Sequence, residues 1–289
     1  VNALTLKANA KINLCLHITN IRQDGYHEID SVFQSIDLFD LVTLKKADHI
    51  SVMCDAPFVP SGHKNICFKA AERFKEKTNI NGVQIEIKKS IPSSAGMGGG
   101  SADAAAVIEG LDKLYDCGLS FQEKATIAAS IGADVPFFLK GGCCRARGIG
   151  DVLSPLAQPF NHDIVIVKPN VGVSTPKAYQ LFDERFSCGG SADGMIEAMA
   201  KKEEAQYINA VQNGLEACAF ILAPKTKVVA AALLNAGAKT ARVTGSGAAV
   251  FGIFAQGNGK TMIDQIRKEG FSHVFLTHKT DKGISIISQ

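Results

Sequence analysis

The fifteen residues IPSSAGMGGGSADAA, at 91–105, constrain this chain more than any other stretch. They hold four glycines (Gly96, Gly98, Gly99 and Gly100) and three serines (Ser93, Ser94 and Ser101). Such a composition suits either a flexible linker or a loop that wraps an anion. The flanking residues favour the second. GVQIEIKKSI (82–91) alternates and reads as a strand. From about Ser101, SADAAAVIEGLDKLY is alanine-rich, with Ala105, Ile108 and Leu111 at helical steps. A glycine turn between strand and helix aims free backbone N–H groups inward, and the helix N-terminus adds about half a positive charge. The stretch therefore reads as a phosphate cradle. It lacks the Lys-Ser/Thr ending of a Walker A loop, and it is not the G-x-G-x-x-G turn of a dinucleotide unit.

The chain around this loop mixes strands and helices. LTLKANAKINLCLHIT (4–19) alternates as a strand, and DLVTLKKA and HISVMC read as further strands. A helix is predicted over 65–78, capped by Asn65, with Ile66, Ala70 and Phe74 on its apolar stripe. Another spans 120–131, opened by the capping-box pair Ser120 and Glu123 and stopped at Gly132. Two prolines in SPLAQPFNH (154–162) mark a boundary, giving domains of 1–155 and 156–289. The second opens on the strand DIVIVKP. Helices follow around 175–183, 191–202, 211–222 and 225–236. Then come a strand-turn-strand in ARVTGSGAAVFGIF, a helix near 260–269 and a strand at 273–277. The pattern is that of two α+β domains rather than one wound parallel sheet. A length of 289 residues suits that division, since domains cluster at roughly 100–150 residues.

Composition narrows the class of partner. A net charge of +3 without a basic run gives no electrostatic footprint for nucleic acid. The absence of Trp, with 7% aromatic residues, argues against a platform that stacks single-stranded bases. The longest apolar run, 248–255, falls far short of the ~20 residues that span a bilayer. VNALTLKANAK carries no signal-peptide core, so a cytoplasmic location and no membrane partner are expected. The eight cysteines form no C-x-x-C, and Cys15, Cys67 and Cys218 sit in apolar segments; buried reduced thiols are expected.

Four other stretches carry chemistry. In AKINLCLHI (10–18), Lys11 and Asn13 alternate with Ile12 and Leu14, so both face one side of a strand, either solvated or functional. GADVPFFLKGG (132–142) places Asp134 after a helix stop and before an apolar run. It is either a capping residue or a carboxylate anchored to activate a hydroxyl. VTGSGAAVFGIF (243–254) is a glycine turn in a hairpin, or a second wall of one site. DGYHEID (24–30) puts Tyr26 and His27 after an Asp-Gly turn, on the surface or against a base.

AKINLCLHI, IPSSAGMGGGSADAA and VTGSGAAVFGIF arrive in the order of the three motifs of the GHMP kinase superfamily, which the chain resembles. The likeness runs over nearly the whole length, through GADVPFFLKGG and NVGVSTPKAY (170–179). DGYHE is similar to the branch acting on a cytidine-diphosphate-linked methylerythritol. The resemblance implies the two-domain fold of that superfamily, with the active site in the interdomain cleft. It implies an ATP-dependent small-molecule kinase that phosphorylates the tertiary 2-hydroxyl of that substrate, in the non-mevalonate isoprenoid precursor pathway. Asp134 would take the hydroxyl proton or orient the hydroxyl, and Lys11 would stabilise charge beside it. Tyr26 and Tyr179 would lie on the two faces of the cytosine, and His27 would read its edge. Asn13 and Thr175 would also contact substrate, with Gly245 and Ser246 lining the cleft. Asn65 and Lys89 would meet the adenine side of the nucleotide. Gly96, Gly98, Gly99, Gly100 and Ser101 would wrap the phosphates. Mg2+ is expected with the ATP, with no protein ligand identified.

Two positions depart from the family pattern GLGGGSSDAA. Met97 stands for Leu, and Ala102 stands for the second Ser, which leaves Ser101 as the nearer hydroxyl. Two other functions fit the same fold: a mevalonate-type small-alcohol kinase, and a non-catalytic sensor. Tyr26, His27 and Tyr179 favour a base-bearing substrate over a small alcohol. Lys11 and Asp134 favour a catalyst over a sensor. The oligomeric state is left open.

Overall fold

A computed structural model describes residues 2–57 and 59–288. In chain order its first half runs β1 (Ala3–Ile21), β2 (His27–Ala47), β3 (Ser51–Cys54), α1 (Ile66–Thr78), β4 (Gly82–Lys88), α2 (Gly99–Tyr115), α3 (Phe121–Ala129), α4 (Val135–Lys140), β5 (Cys143–Arg147) and β6 (Val152–Pro155). The second half runs β7 (Asp163–Val167), α5 (Thr175–Arg185), α6 (Asp193–Lys201), α7 (Glu204–Asn209), β8 (Gln212–Asn213), α8 (Glu216–Leu222), α9 (Lys225–Asn235), β9 (Thr240–Val243), β10 (Val250–Phe254), α10 (Gly259–Lys268), β11 (Val274–Thr277) and β12 (Ile284–Ser288).

Local chemistry explains several boundaries. The Asn65 side chain accepts from the Cys67 N–H and starts α1, whose Cys67, Ala70, Ala71 and Phe74 turn inward; the helix ends at Asn79, in the left-handed region at φ 61°. The Ser120–Glu123 capping box opens α3, as expected. Helix α2 is buried on most of its surface, and its alanines allow close approach to neighbours. A side chain at Gly110 would meet Leu44 at 2.4 Å, so glycine sets how closely α2 lies on β2.

The long pair β1–β2 is antiparallel and anchors an eight-stranded sheet in the order β12-β1-β2-β4-β3, with β5 on β2, β6 on β5 and β8 on β1. The second sheet is β11-β7-β10-β9. The change of sheet falls between Pro155 and Asp163, near the expected division at 155/156. That division is not a clean cut. β8 and β12 both return to pair with β1, so the chain's last strand completes the first sheet.

One apolar cluster bears directly on the site. Ile91, Ala95 and Met97 of the glycine stretch are buried with Ile12 and Leu14 of β1 and Ile166, Phe251 and Ile253 of the second sheet. The apolar residues of the loop thus anchor between the two sheets. Met97, where the family pattern has Leu, keeps an apolar side chain in this cluster. Ala102 is wholly buried inside α2 and does not line the cavity, so the departure there puts a core methyl where the family pattern has a hydroxyl. All eight cysteines are free, as expected; Cys15, Cys67, Cys143, Cys144 and Cys218 are buried, whereas Cys54 and Cys117 are half-buried and Cys188 is exposed, against the expectation of burial. No single helix among the described residues is long and apolar enough to cross a membrane.

Candidate active site

Every candidate residue named from the sequence lines one open cavity of about 1230 Å³. A typical single-ligand pocket is roughly 300–1,000 Å³, so this one has room for two reactants side by side.

Its floor is the glycine stretch. Gly98, at φ +69°, caps α2, and the first intrahelical bond runs from the Ala102 N–H to the Gly98 carbonyl. The N–H groups of Gly99, Gly100 and Ser101 precede that bond and are the orphan donors of the helix start. The N-cap residue, a glycine, has no side chain to cap them. A Cβ at Gly98 would sit 2.5 Å from Phe138. The turn needs glycine for its φ and for this close approach.

Thr244 joins the three motifs. Its hydroxyl accepts from the Asn13 N–H at 3.1 Å and donates to the Gly96 carbonyl at 3.3 Å. Ala248 and Ala249 N–H groups bond the Ser94 and Ala95 carbonyls, and the Lys11 N–H bonds the Met97 carbonyl. The turn between β9 and β10 is therefore both a hairpin and a wall of the site. A residue unforeseen in the sequence holds it: Asn213 Nδ2 donates to the Val243 and Gly245 carbonyls. Residues 212–213 pair with β1 as a short strand, where one continuous helix over 211–222 was expected.

Gly96 sits at φ +74°, and an added Cβ would lie 2.0 Å from the Thr244 carbonyl oxygen. Gly96→Ala should therefore destabilise the fold by about 2 kcal/mol or more and lower kcat/KM, because loop and hairpin must separate. Thermal unfolding checks this; an unchanged Tm would show that the weld is not rigid.

The polar face of β1 is not solvated. Lys11 is 4% exposed and Asn13 2%. Lys11 Nζ donates to Asn13 Oδ1 at 2.7 Å and lies 4.3 Å over the Phe33 ring. Burial lowers the Lys11 pKa, and the charge of Asp134 acts in the opposite direction. Asp134 occupies the N-cap position of α4, yet its side chain makes no capping bond, so the capping alternative is not what the structure shows. Its carboxylate is left available to a ligand.

At the other end, Thr175 and Ser246 share a hydroxyl–hydroxyl bond of 2.7 Å. Tyr179 stacks on His27, with ring centroids 4.4 Å apart. Tyr26 also lines the cavity and is 62% exposed. Burial pushes the Tyr179 hydroxyl up to about 12, with Asp134 adding to the effect.

Asn65 and Lys89 reach the cavity, but both are already engaged. Asn65 caps α1 and donates to the Pro60 carbonyl. The Lys89 ammonium lies between Asp40 and Asp103, at 2.6 Å from the latter. Burial opposes its charge, but the two carboxylates outweigh burial and hold its pKa above the ordinary range. It is not a free cation waiting for a nucleotide. Sequence reasoning missed both acids; the only sign of Asp103 was its place inside the glycine stretch.

Comparison with known proteins agrees in extent and order. Residues 65–142 match the family model for the GHMP kinases N terminal domain, and 195–272 match that for GHMP kinases C terminal. The 4-diphosphocytidyl-2-C-methyl-D-erythritol kinase of Caldanaerobacter subterraneus subsp. tengcongensis is 38% identical over 290 residues, covering 98% of this chain and 99% of that protein. A crystal structure of 4-(cytidine 5'-diphospho)-2C-methyl-D-erythritol kinase superposes with a TM-score of 0.80 at 32% identity, covering 95% of this chain and 98% of that one. Homoserine kinase from Cytophaga hutchinsonii reaches the same TM-score of 0.80 at 20% identity, covering 99% of this chain and 98% of that one; this likeness shows the fold alone.

Proposed function

The chain belongs to the GHMP kinase family, and from that premise we propose that it transfers the γ-phosphoryl group of ATP to the 2-hydroxyl of 4-diphosphocytidyl-2-C-methyl-D-erythritol, in non-mevalonate isoprenoid precursor synthesis. The observation that carries this reading is the layout of the cavity. A glycine-capped helix start forms its floor, and the imidazole of His27 with the ring of Tyr179 forms one end. Lys11 and Asp134 line the same space. A small alcohol would leave the cavity-facing side of these two rings without a ligand to meet.

Phosphoryl transfer asks little covalent chemistry of a protein; position and charge dominate. Donors at Gly99, Gly100 and Ser101 hold the phosphates of ATP. Asp134, free of any capping bond, receives the hydroxyl proton or fixes the hydroxyl in line. Lys11 offsets charge developing between donor and acceptor. Its amine is kept in place by Asn13 and Phe33 rather than by a direct ion pair. Mg2+ accompanies ATP in this reading. The described residues contain no cluster of three acidic, His or Cys side chains. When bound, the cation would be held mainly by phosphate and water, and the Ser101 hydroxyl, which lines the cavity, would be the protein group to reach it. Its contribution when bound is to neutralise phosphate charge.

A substrate panel tests the proposal. Phosphorylation of the cytidyl substrate with no turnover of mevalonate is expected. Turnover of mevalonate alone would reverse the reading, and ATP binding without any turnover would point to a sensor. His27→Ala should raise KM for the cytidyl substrate about 10-fold and leave KM for ATP unchanged.

A further inference from the structure

Thr175, Tyr179 and Asp183 follow at four-residue steps along α5, and so share one face of that helix. All three line the cavity. The first two were expected there from the sequence; Asp183 is new. Its Oδ1 lies 2.7 Å from His27 Nε2. The imidazole is further held by Tyr179, stacked at an interplanar angle of 28°, and by Phe182, edge-on at 6.5 Å. An ionised carboxylate only accepts hydrogen bonds, so Nε2 carries the proton. Nδ1 has no partner among the described residues and is not sealed inside the protein. It is the atom left to meet a ligand.

We propose that Asp183 is a positioning and specificity-determining residue: by holding the Nε2–H of His27, it presents Nδ1 as a lone-pair acceptor to the substrate base and selects a 4-aminopyrimidine over a 4-oxopyrimidine. This rests on the reading of His27 as the residue that meets the base. The exocyclic amine of cytosine donates, whereas the corresponding oxygen of uracil only accepts. Two acceptors facing each other leave both unpaired, and a site built for one polar group rejects the analogue that lacks it. Without Asp183 the ring can carry its proton on Nδ1 instead, and the distinction relaxes. Asp183 itself is partly exposed, so its replacement removes no core packing.

The test combines kinetics with 15N NMR of the histidine rings, using the cytidyl substrate and its uridyl counterpart. The signal lost in His27→Ala identifies the ring. Asp183→Ala should raise KM for the cytidyl substrate about 10-fold, shrink the cytidyl-to-uridyl ratio of kcat/KM, and leave KM for ATP unchanged. The His27 signals should move from the Nε2–H tautomer toward a mixture, and Asp183→Glu should restore both readouts in part. An equal rise in KM for both substrates with the tautomer unchanged would overturn the proposal, since Asp183 would then touch substrate directly. So would a silent Asp183→Ala alongside an impaired His27→Ala. An unchanged KM in His27→Ala would instead overturn the underlying reading of His27.

Discussion

Asp134→Ala is expected to lower kcat by about 10³-fold while leaving ATP affinity within about twofold. The expectation follows from what the carboxylate does not do. It stands at the N-cap of α4, where an aspartate commonly bonds the helix N–H groups, yet it makes no such bond. A capping residue lost to alanine would cost about 1 kcal/mol of stability and little activity. Here the reverse pattern is predicted: turnover falls and Tm stays. Asp134→Asn separates proton acceptance from positioning. If the carboxylate only orients the hydroxyl, asparagine retains much of the rate; if it takes the proton, asparagine is nearly as slow as alanine. Turnover equal to that of the unmodified enzyme in Asp134→Ala would remove it from the chemistry.

The glycine turn was legible because its signals are local. Glycine spacing, a strand before and a helix after all lie within a few dozen residues, and Gly96 and Gly98 take the positive φ angles that only such spacing suggests. The Asn65 cap and the Ser120–Glu123 box were readable for the same reason. What escaped were partnerships across the chain. Asp40 stands 49 residues from Lys89, and β12 pairs with a strand at the opposite end of the sequence. No periodicity announces such pairs. Asn213 escaped because its amide serves a distant hairpin and its backbone pairs with the distant β1, which overrides the local helical pattern. Asp183 was within reach: it is the next four-residue step after Thr175 and Tyr179. Lys11 and Asn13 show the limit of pattern reading. Their alternation is equally good for a wet face and a buried one, and only the glycine loop packed over them decides.

The buried group around Lys89 leads to the second large prediction. Asp40 accepts from the Ser90 and Ile91 N–H groups and from Lys89, so it fixes the backbone where the glycine stretch begins. Asp103, on the first turns of α2, takes the other side of the same ammonium. One cation therefore ties the start of the loop to the helix that follows it. Burial pushes the Asp103 carboxyl well up even against Lys89, and Asp40 adds to the shift, so two acids and one base share a dry site. Lys89→Met leaves that pair of acids without their cation. A loss of about 3–5 kcal/mol is expected, a fall in Tm of roughly 6–10 °C for a chain of this size. KM for ATP should rise as well, because the loop is no longer held against the helix start. Adding Asp103→Asn removes one of the stranded charges and should recover part of the stability. Stability alone would recover if Lys89 served only the fold; recovery of KM for ATP in step with Tm is the outcome that ties this buried group to the glycine stretch. A Lys89→Met protein that melts within a degree of the unmodified chain would show that the two acids need no cation to stay where they are.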